Sequence, residues 1–225
     1  RIMDKMRYAA MMFGVNADSQ QIVETLYMEF LLALDKHFAQ FPYLLGWKPC
    51  IGDFGLLAPL FAHLGRDPKP LQIMQQQAVH VFRWVERMNR SAQDAPEYYE
   101  AGSGYLANDE IPETLAAVLR VISQDLVPET MAAAESINGW LANISIASGD
   151  QASRYVGQNG GKAEFAVRGL SMVAIAQPYR FFMLQRVQDC FDTLSASEQA
   201  GTAELLQSCE MADLLDIKLD RRLAQ

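Results

Sequence analysis

The stretch from Pro49 to Pro68, PCIGDFGLLAPLFAHLGRDP, narrows most sharply what this chain can fold into. It is apolar enough to be a buried helix, yet it carries Asp53, Gly52, Gly55 and an internal Pro59. Helix N-termini leave amide donors unpaired. A short polar side chain at the N-cap, with an acid three residues later, satisfies two of them. Cys50 and Asp53 have that spacing, and Pro49 and Phe54 are placed to staple the first turn. Gly52, Gly55 and Ala58 leave a bare strip for close packing, and Pro59 removes one backbone bond, which predicts a kink or a supporting neighbour. Asp53 therefore reads as a capping and folding residue rather than a general acid or base. Cys50 reads as a substitute cap or small filler rather than a reactive thiol, although helix N-termini do lower thiol pKa values.

The surrounding sequence is mostly helical in period. Met3, Met6, Ala10 and Phe13 mark a first helix that Gly14 ends, and Ile22, Leu26, Phe30, Leu34 and Phe38 mark a second over about 19–40, closed by Pro42. A third helix is expected to start at Pro70, with Leu71, Met74, Ala78, Val81, Val85 and Met88 on its apolar face. Residues 90–111 lack a period and form a long loop, in which Tyr98, Tyr99 and Tyr105 either anchor the loop or line a pocket. Pro112 opens another helix, and Pro128 starts a separate one to about residue 144. AEFAVRG and LSMVAIA around Gly169 predict a short hairpin near 163–176. Helical spacing returns through Phe182, Leu184, Val187, Cys190 and Leu194. Ser195 and Glu198 form a capping box for the next helix, and a last helix places Arg221 and Arg222 at its C-terminal dipole.

Several function classes are excluded. The net charge is −8, and Arg83, Arg87 and Arg90 read as a solvated helix face, so no nucleic-acid partner is expected. No apolar run approaches the ~18 residues of a membrane span, so no membrane partner is expected either. Cys50, Cys190 and Cys209 are odd in number and widely spaced, which with the absence of a secretory signal predicts free thiols and a cytoplasmic location. His37, His63 and His80 have no metal-ligand spacing, so no metal site is expected. GQNGGK at 157–162 lacks the Ser or Thr of a phosphate loop and reads as a turn.

The run YLLGWKPCIGDFGLLAPLFAHLGRDP, continuing into VHVFRWVERM, resembles the C-terminal helical domain of the glutathione S-transferase superfamily. In that family a loop ending in Pro leads to a Ser or Thr cap, an Asp three residues on, and a buried central helix. PYRFFMLQRVQDCF is similar to the later part of bacterial members with an extended helical domain. Residues 20–90 carry most of the likeness. Cys50 departs from the family's Ser or Thr, and a thiol is a poorer acceptor, which leaves Asp53 to do more of the capping.

The resemblance implies an all-α, transferase-like helical bundle over 1–225 as one domain, with 1–90 as its best-matching core and 91–225 as an extended part with long loops. The family's glutathione site lies in a thioredoxin-like domain, and no βαβ pattern precedes Met3. The chain begins at Arg1 rather than Met, so that partner domain is expected upstream. The helical domain itself would bind no cofactor, with glutathione implied for the parent protein. The resemblance also implies a homodimer, an apolar electrophilic small molecule as acceptor substrate, and acceptor-site contacts from Met6, Tyr8, Met11 and Met12 on the first helix. The expected function is the acceptor-substrate side of such a transferase, inactive alone. The competing reading is a non-catalytic interaction module, since transferase-like helical domains also occur in translation factors and their partners.

Overall fold

The computed structural model describes residues 2–91, 95–99, 102–143 and 161–223. It is mostly helical, with α1 (Ile2–Met12), α2 (Gln20–Phe38), α3 (Ile51–Pro59), α4 (Pro68–Gln77), α5 (Val79–Met88), α6 (Glu113–Ala142), a hairpin of β1 (Lys162–Val167) and β2 (Leu170–Ile175), α7 (Pro178–Asp192) and α8 (Ala196–Ser208). Among the described residues no helix is long and apolar enough to cross a membrane. The packing divides into two compact units, Arg1–Val23 with Ile122–Gln225, and Glu24–Val121. The division falls inside α2 and α6.

In the 24–121 unit the core is made by Leu31, Leu34 and Phe38 of α2 against Leu60, Met74, Val81 and Trp84. Phe38 and Trp84 stack with centroids 5.0 Å apart at 12°. Here α3 continues after Pro59 as a π-turn over Leu60–Leu64. The expected disturbance at Pro59 thus takes the form of a widened turn, a common accommodation of an interrupted ladder. Gly52 lies close under Leu44, whose Cδ1 would stand 3.0 Å from an added Cβ, whereas Gly55 faces open space. Of the expected bare strip, only Gly52 is a close contact, and Phe54, the expected staple, is largely exposed.

The single helix expected from Pro70 is instead two, α4 and α5, broken at Ala78 (φ −142°, ψ 62°). Nothing in QQQAV signals a stop. The cause is Asp35 of α2, whose Oδ1 accepts from the His80 amide at 2.7 Å and the Val81 amide at 3.3 Å, while His80 Nδ1 donates to its Oδ2 at 3.0 Å. Ala78 has no capping side chain, so a carboxylate from a neighbouring helix supplies the cap and starts α5 afresh.

In the other unit, the core joins Ala133, Ala134, Ile137 and Leu141 of α6 to Ala163, Ala176, Phe181 and Leu223. The expectation of a new helix at Pro128 is corrected, because α6 is continuous from Glu113 to Ala142. Its buried stripe of Val127, Thr130, Ala134, Ile137 and Leu141 runs past the proline, and packing of that face outweighs one missing ladder bond. The hairpin expected near 163–176 is present. Val167 pairs with Leu170 across a two-residue turn in which Arg168 (φ 51°) and Gly169 (φ 82°) are both left-handed, as a type I′ turn requires. Lys162 opens β1, so the GGK run leads into a strand rather than a phosphate-binding helix start; residues 157–160 of that run lie outside the described residues.

Two further corrections concern the C-terminal part. The inward face of α7 is Phe181 and Gln188, while Val187 and Cys190 are exposed. Among the described residues no helix follows α8 beyond a short 3-10 turn at Ala212–Leu215. The tail is held extended by side-chain amides. Gln188 Nε2 donates to the carbonyls of Leu214 (2.8 Å) and Ile217 (2.9 Å), Asn138 bridges Lys218 and Asp220, and Gln185 pairs with both backbone groups of Leu223. These bonds replace the helical ladder. Arg222 pairs with Asp189 of α7 instead of a helix dipole, and that pairing holds the Asp189 carboxyl below its usual range. Ser195 and Glu198 do form the expected capping box on α8, with Ser195 N donating to Glu198 Oε2 at 2.8 Å.

Candidate functional site

The most organised polar centre lies at the start of α3. Asp53 is fully buried, and its carboxylate accepts three hydrogen bonds. Oδ2 takes the Cys50 amide at 2.9 Å, and Oδ1 takes the Leu44 amide at 3.2 Å and the Trp84 indole Nε1 at 3.0 Å. The capping-box arrangement of Cys50 and Asp53 is therefore present, with the acid on the Cys50 amide at 2.9 Å and the Cys50 sulfur facing the Asp53 amide as the weaker half. Asp53 does more than cap a helix. It joins the 43–47 loop, the α3 N-terminus and α5 around one buried charge. Sequence reasoning missed Trp84 as its partner. The available signal was that a buried indole N–H requires an acceptor, and Asp53 was the acid expected to be buried.

The Cys50 thiol has its pKa pushed up, first by burial, despite the amides of Asp53 and Gly52 that pull the other way. That direction opposes thiolate chemistry and favours the filler reading. His37 is buried as well. Its Nε2 lies 3.4 Å from the Tyr43 carbonyl and its Nδ1 2.9 Å from Thr114 Oγ1. The carbonyl can only accept, so Nε2 carries the proton and Nδ1 accepts from the threonine. Burial lowers the His37 pKa, consistent with a neutral ring.

Arg87 corrects the expectation of a solvated arginine face. It is 3% exposed, pairs with Glu97, donates Nη2 to the Pro42 carbonyl at 2.6 Å, and lies against the rings of Tyr43 and Tyr98. Tyr98 donates its hydroxyl to the Phe38 carbonyl, and Tyr105 donates to the Pro49 carbonyl at 3.3 Å. Both act as loop anchors, whereas Tyr99 is fully exposed.

Met6, Tyr8, Met11 and Met12 all stand on α1, in the other compact unit from Asp53. Met6, Tyr8 and Met11 are exposed on α1, with Met3 and Phe13 beside them, and Met12 is half-buried. The helix ends where Gly14 turns at φ 81°, close against the Val173 carbonyl of β2. Three cavities lie within single units. One of about 600 Å³ runs along β1 and α6, one of about 340 Å³ lies among Phe61, Leu71, Met74 and Phe82, and one of about 210 Å³ lies between α7 and the tail. Among the described residues no three His, Cys, Asp or Glu side chains come together as a metal site. The polar clusters described above are internal braces, although the buried Nε of Arg87 has no hydrogen-bond partner among the described residues. Comparison with protein-family models, curated proteins and solved structures finds no match.

Proposed function

We propose that this chain is the helical, acceptor-substrate side of a glutathione S-transferase-like protein. The observation that supports the reading is the Asp53 brace, a buried acid three residues after the N-cap of a central helix, as the family pattern has it. In the parent protein a thioredoxin-like domain would bind glutathione and lower its thiol pKa. The thiolate would then attack an electrophilic carbon of a largely apolar substrate held against α1, with catalysis coming from thiolate activation and proximity. The 225 residues alone would be inactive, would bind no cofactor, and would have the missing domain and a second subunit as partners. The protein would act in a bacterial cytoplasm.

The test compares the isolated chain with the complete gene product in conjugation of glutathione to a chloronitrobenzene. Conjugation by the complete protein and none by the isolated chain supports the reading. Conjugation by the isolated chain, or none by either, refutes it. The second reading, a non-catalytic interaction module, is favoured by the exposed Met3, Met6, Tyr8 and Met11 of α1 and Phe13 just after it, which suit a protein partner as well as a substrate.

A further inference from the structure

A pocket of about 340 Å³ lies wholly within the 24–121 unit, where the end of α3 meets α4 and α5. Its apolar lining is Phe61 of the π-turn, Leu71 and Met74 of α4, and Phe82 and Val85 of α5. Met74 and Val85 are buried and form its depth, whereas Phe61, Leu71 and Phe82 are half-buried and leave apolar surface open to solvent. One end of the pocket is irregular backbone. Pro59 interrupts the α3 ladder, the turn widens over Leu60–Leu64, and the chain leaves it at Gly65. A Cβ on Gly65 would stand 2.5 Å from the Leu60 carbonyl oxygen, so that position needs glycine. π-turns set into α-helices are frequent at functional sites, and this one supplies both Phe61 and Gly65 to the pocket.

Volume, lining and rim together select an occupant. Pockets for drug-sized molecules run from about 300 to 1,000 Å³, so this one suits a molecule of one or two rings. Two phenyl rings and a thioether line it, and both kinds of group favour an aromatic ligand beyond simple burial of area. The open side carries Glu86, Asn89 and Arg90, all exposed. The opposite charges of Glu86 and Arg90 leave no net charge there to attract an anion or a cation, and Glu86 also faces Arg83 at 3.6 Å. Asn89 ends α5 through its backbone amide, and its side-chain amide can both donate to and accept from a ligand hydroxyl.

We propose that this pocket binds an uncharged aromatic molecule of one or two rings, with its ring system against Phe61, Met74 and Phe82 and its hydroxyl at Asn89. The site does not rest on the transferase reading, since α1 belongs to the other unit.

Calorimetric titration of the full 225-residue chain with 2-naphthol, its saturated counterpart decahydro-2-naphthol and the anion 2-naphthoate tests this. 2-Naphthol should bind one-to-one with a dissociation constant below about 1 mM, as a molecule of its size allows, and more tightly than either of the others. Phe61→Ala should weaken it about fivefold through the lost ring contact. Asn89→Ala changes an exposed side chain, so it should weaken binding about threefold with helical circular dichroism unchanged. Leu71→Trp should fill the pocket and abolish binding. No binding of 2-naphthol in that range overturns the proposal, as does equal or tighter binding of the saturated alcohol or the anion. Binding indifferent to both Asn89→Ala and Leu71→Trp overturns it too. So does binding that survives Leu71→Trp but is lost on Met6→Ser with Met11→Ser, which places the ligand on α1.

Discussion

Replacing Asp53 by alanine should be among the most damaging single changes in the 24–121 unit. The substitution leaves three donors without their acceptor: the amides of Leu44 and Cys50 and the Trp84 indole. A buried donor left unsatisfied costs about 1–3 kcal/mol, with the lower end suiting the partly open Cys50 amide. Removing the carboxylate also relieves its own desolvation, a gain of several kcal/mol that sets against the sum. The three costs come to about 3–7 kcal/mol before that offset, so the net loss should be about 2–3 kcal/mol, above the ~1 kcal/mol typical of a helix cap alone. The assay is urea unfolding followed by far-ultraviolet circular dichroism, read as a fall in midpoint at constant slope. Trp84→Phe keeps a ring against Phe38 but removes one donor, so it should cost about 1–2 kcal/mol, and the double mutant should fall short of additivity. A loss below about 1 kcal/mol for Asp53→Ala, or strict additivity with Trp84→Phe, would refute the brace.

Other outcomes follow from the same physics. Cys50→Ser restores an oxygen acceptor at the N-cap and should gain about 0.5–1 kcal/mol in the same unfolding assay. In the folded protein Cys190 should react with a maleimide well before Cys50 and Cys209, because Cys190 is exposed and the Cys50 thiol is held up by burial. Asp35→Ala should cost about 1–2 kcal/mol and raise hydrogen exchange at the His80 and Val81 amides, with Asp35→Asn intermediate. The lowered His37 pKa makes the unfolded chain bind the extra proton first. Stability should therefore fall as pH drops below about 6.5 towards the lower folded value, and His37→Gln should flatten that part of the profile. Tyr27 has the opposite sense: its hydroxyl is pushed up to about 12, so stability present below pH 10 should be lost as pH rises towards 12, and Tyr27→Phe should remove that loss.

What the sequence made legible was local, and what it hid was tertiary. The spacing of Cys50 and Asp53, of Ser195 and Glu198, and of the Arg168–Gly169 turn acts within four residues, and the structure contains all three. The break at Ala78 is set by Asp35, over forty residues away, and no window around QQQAV contains it. Pro128 was read as a beginning because proline favours the first helical turn, yet a buried stripe on both sides of it keeps α6 whole. The tail had helical charge order, but Gln185, Gln188 and Asn138 offer its backbone better partners than its own carbonyls. Arg87 looked solvated because its neighbours Arg83 and Arg90 are, while only the fold brings Glu97, Pro42 and two tyrosine rings around it. The same limit governs the site. A carboxylate's spacing can identify it as a cap, but its three-donor cage follows only once Leu44 and Trp84 are packed on it. Function in this chain therefore has to be sought outside these internal braces, for which the exposed apolar side chains of α1 are one place to look.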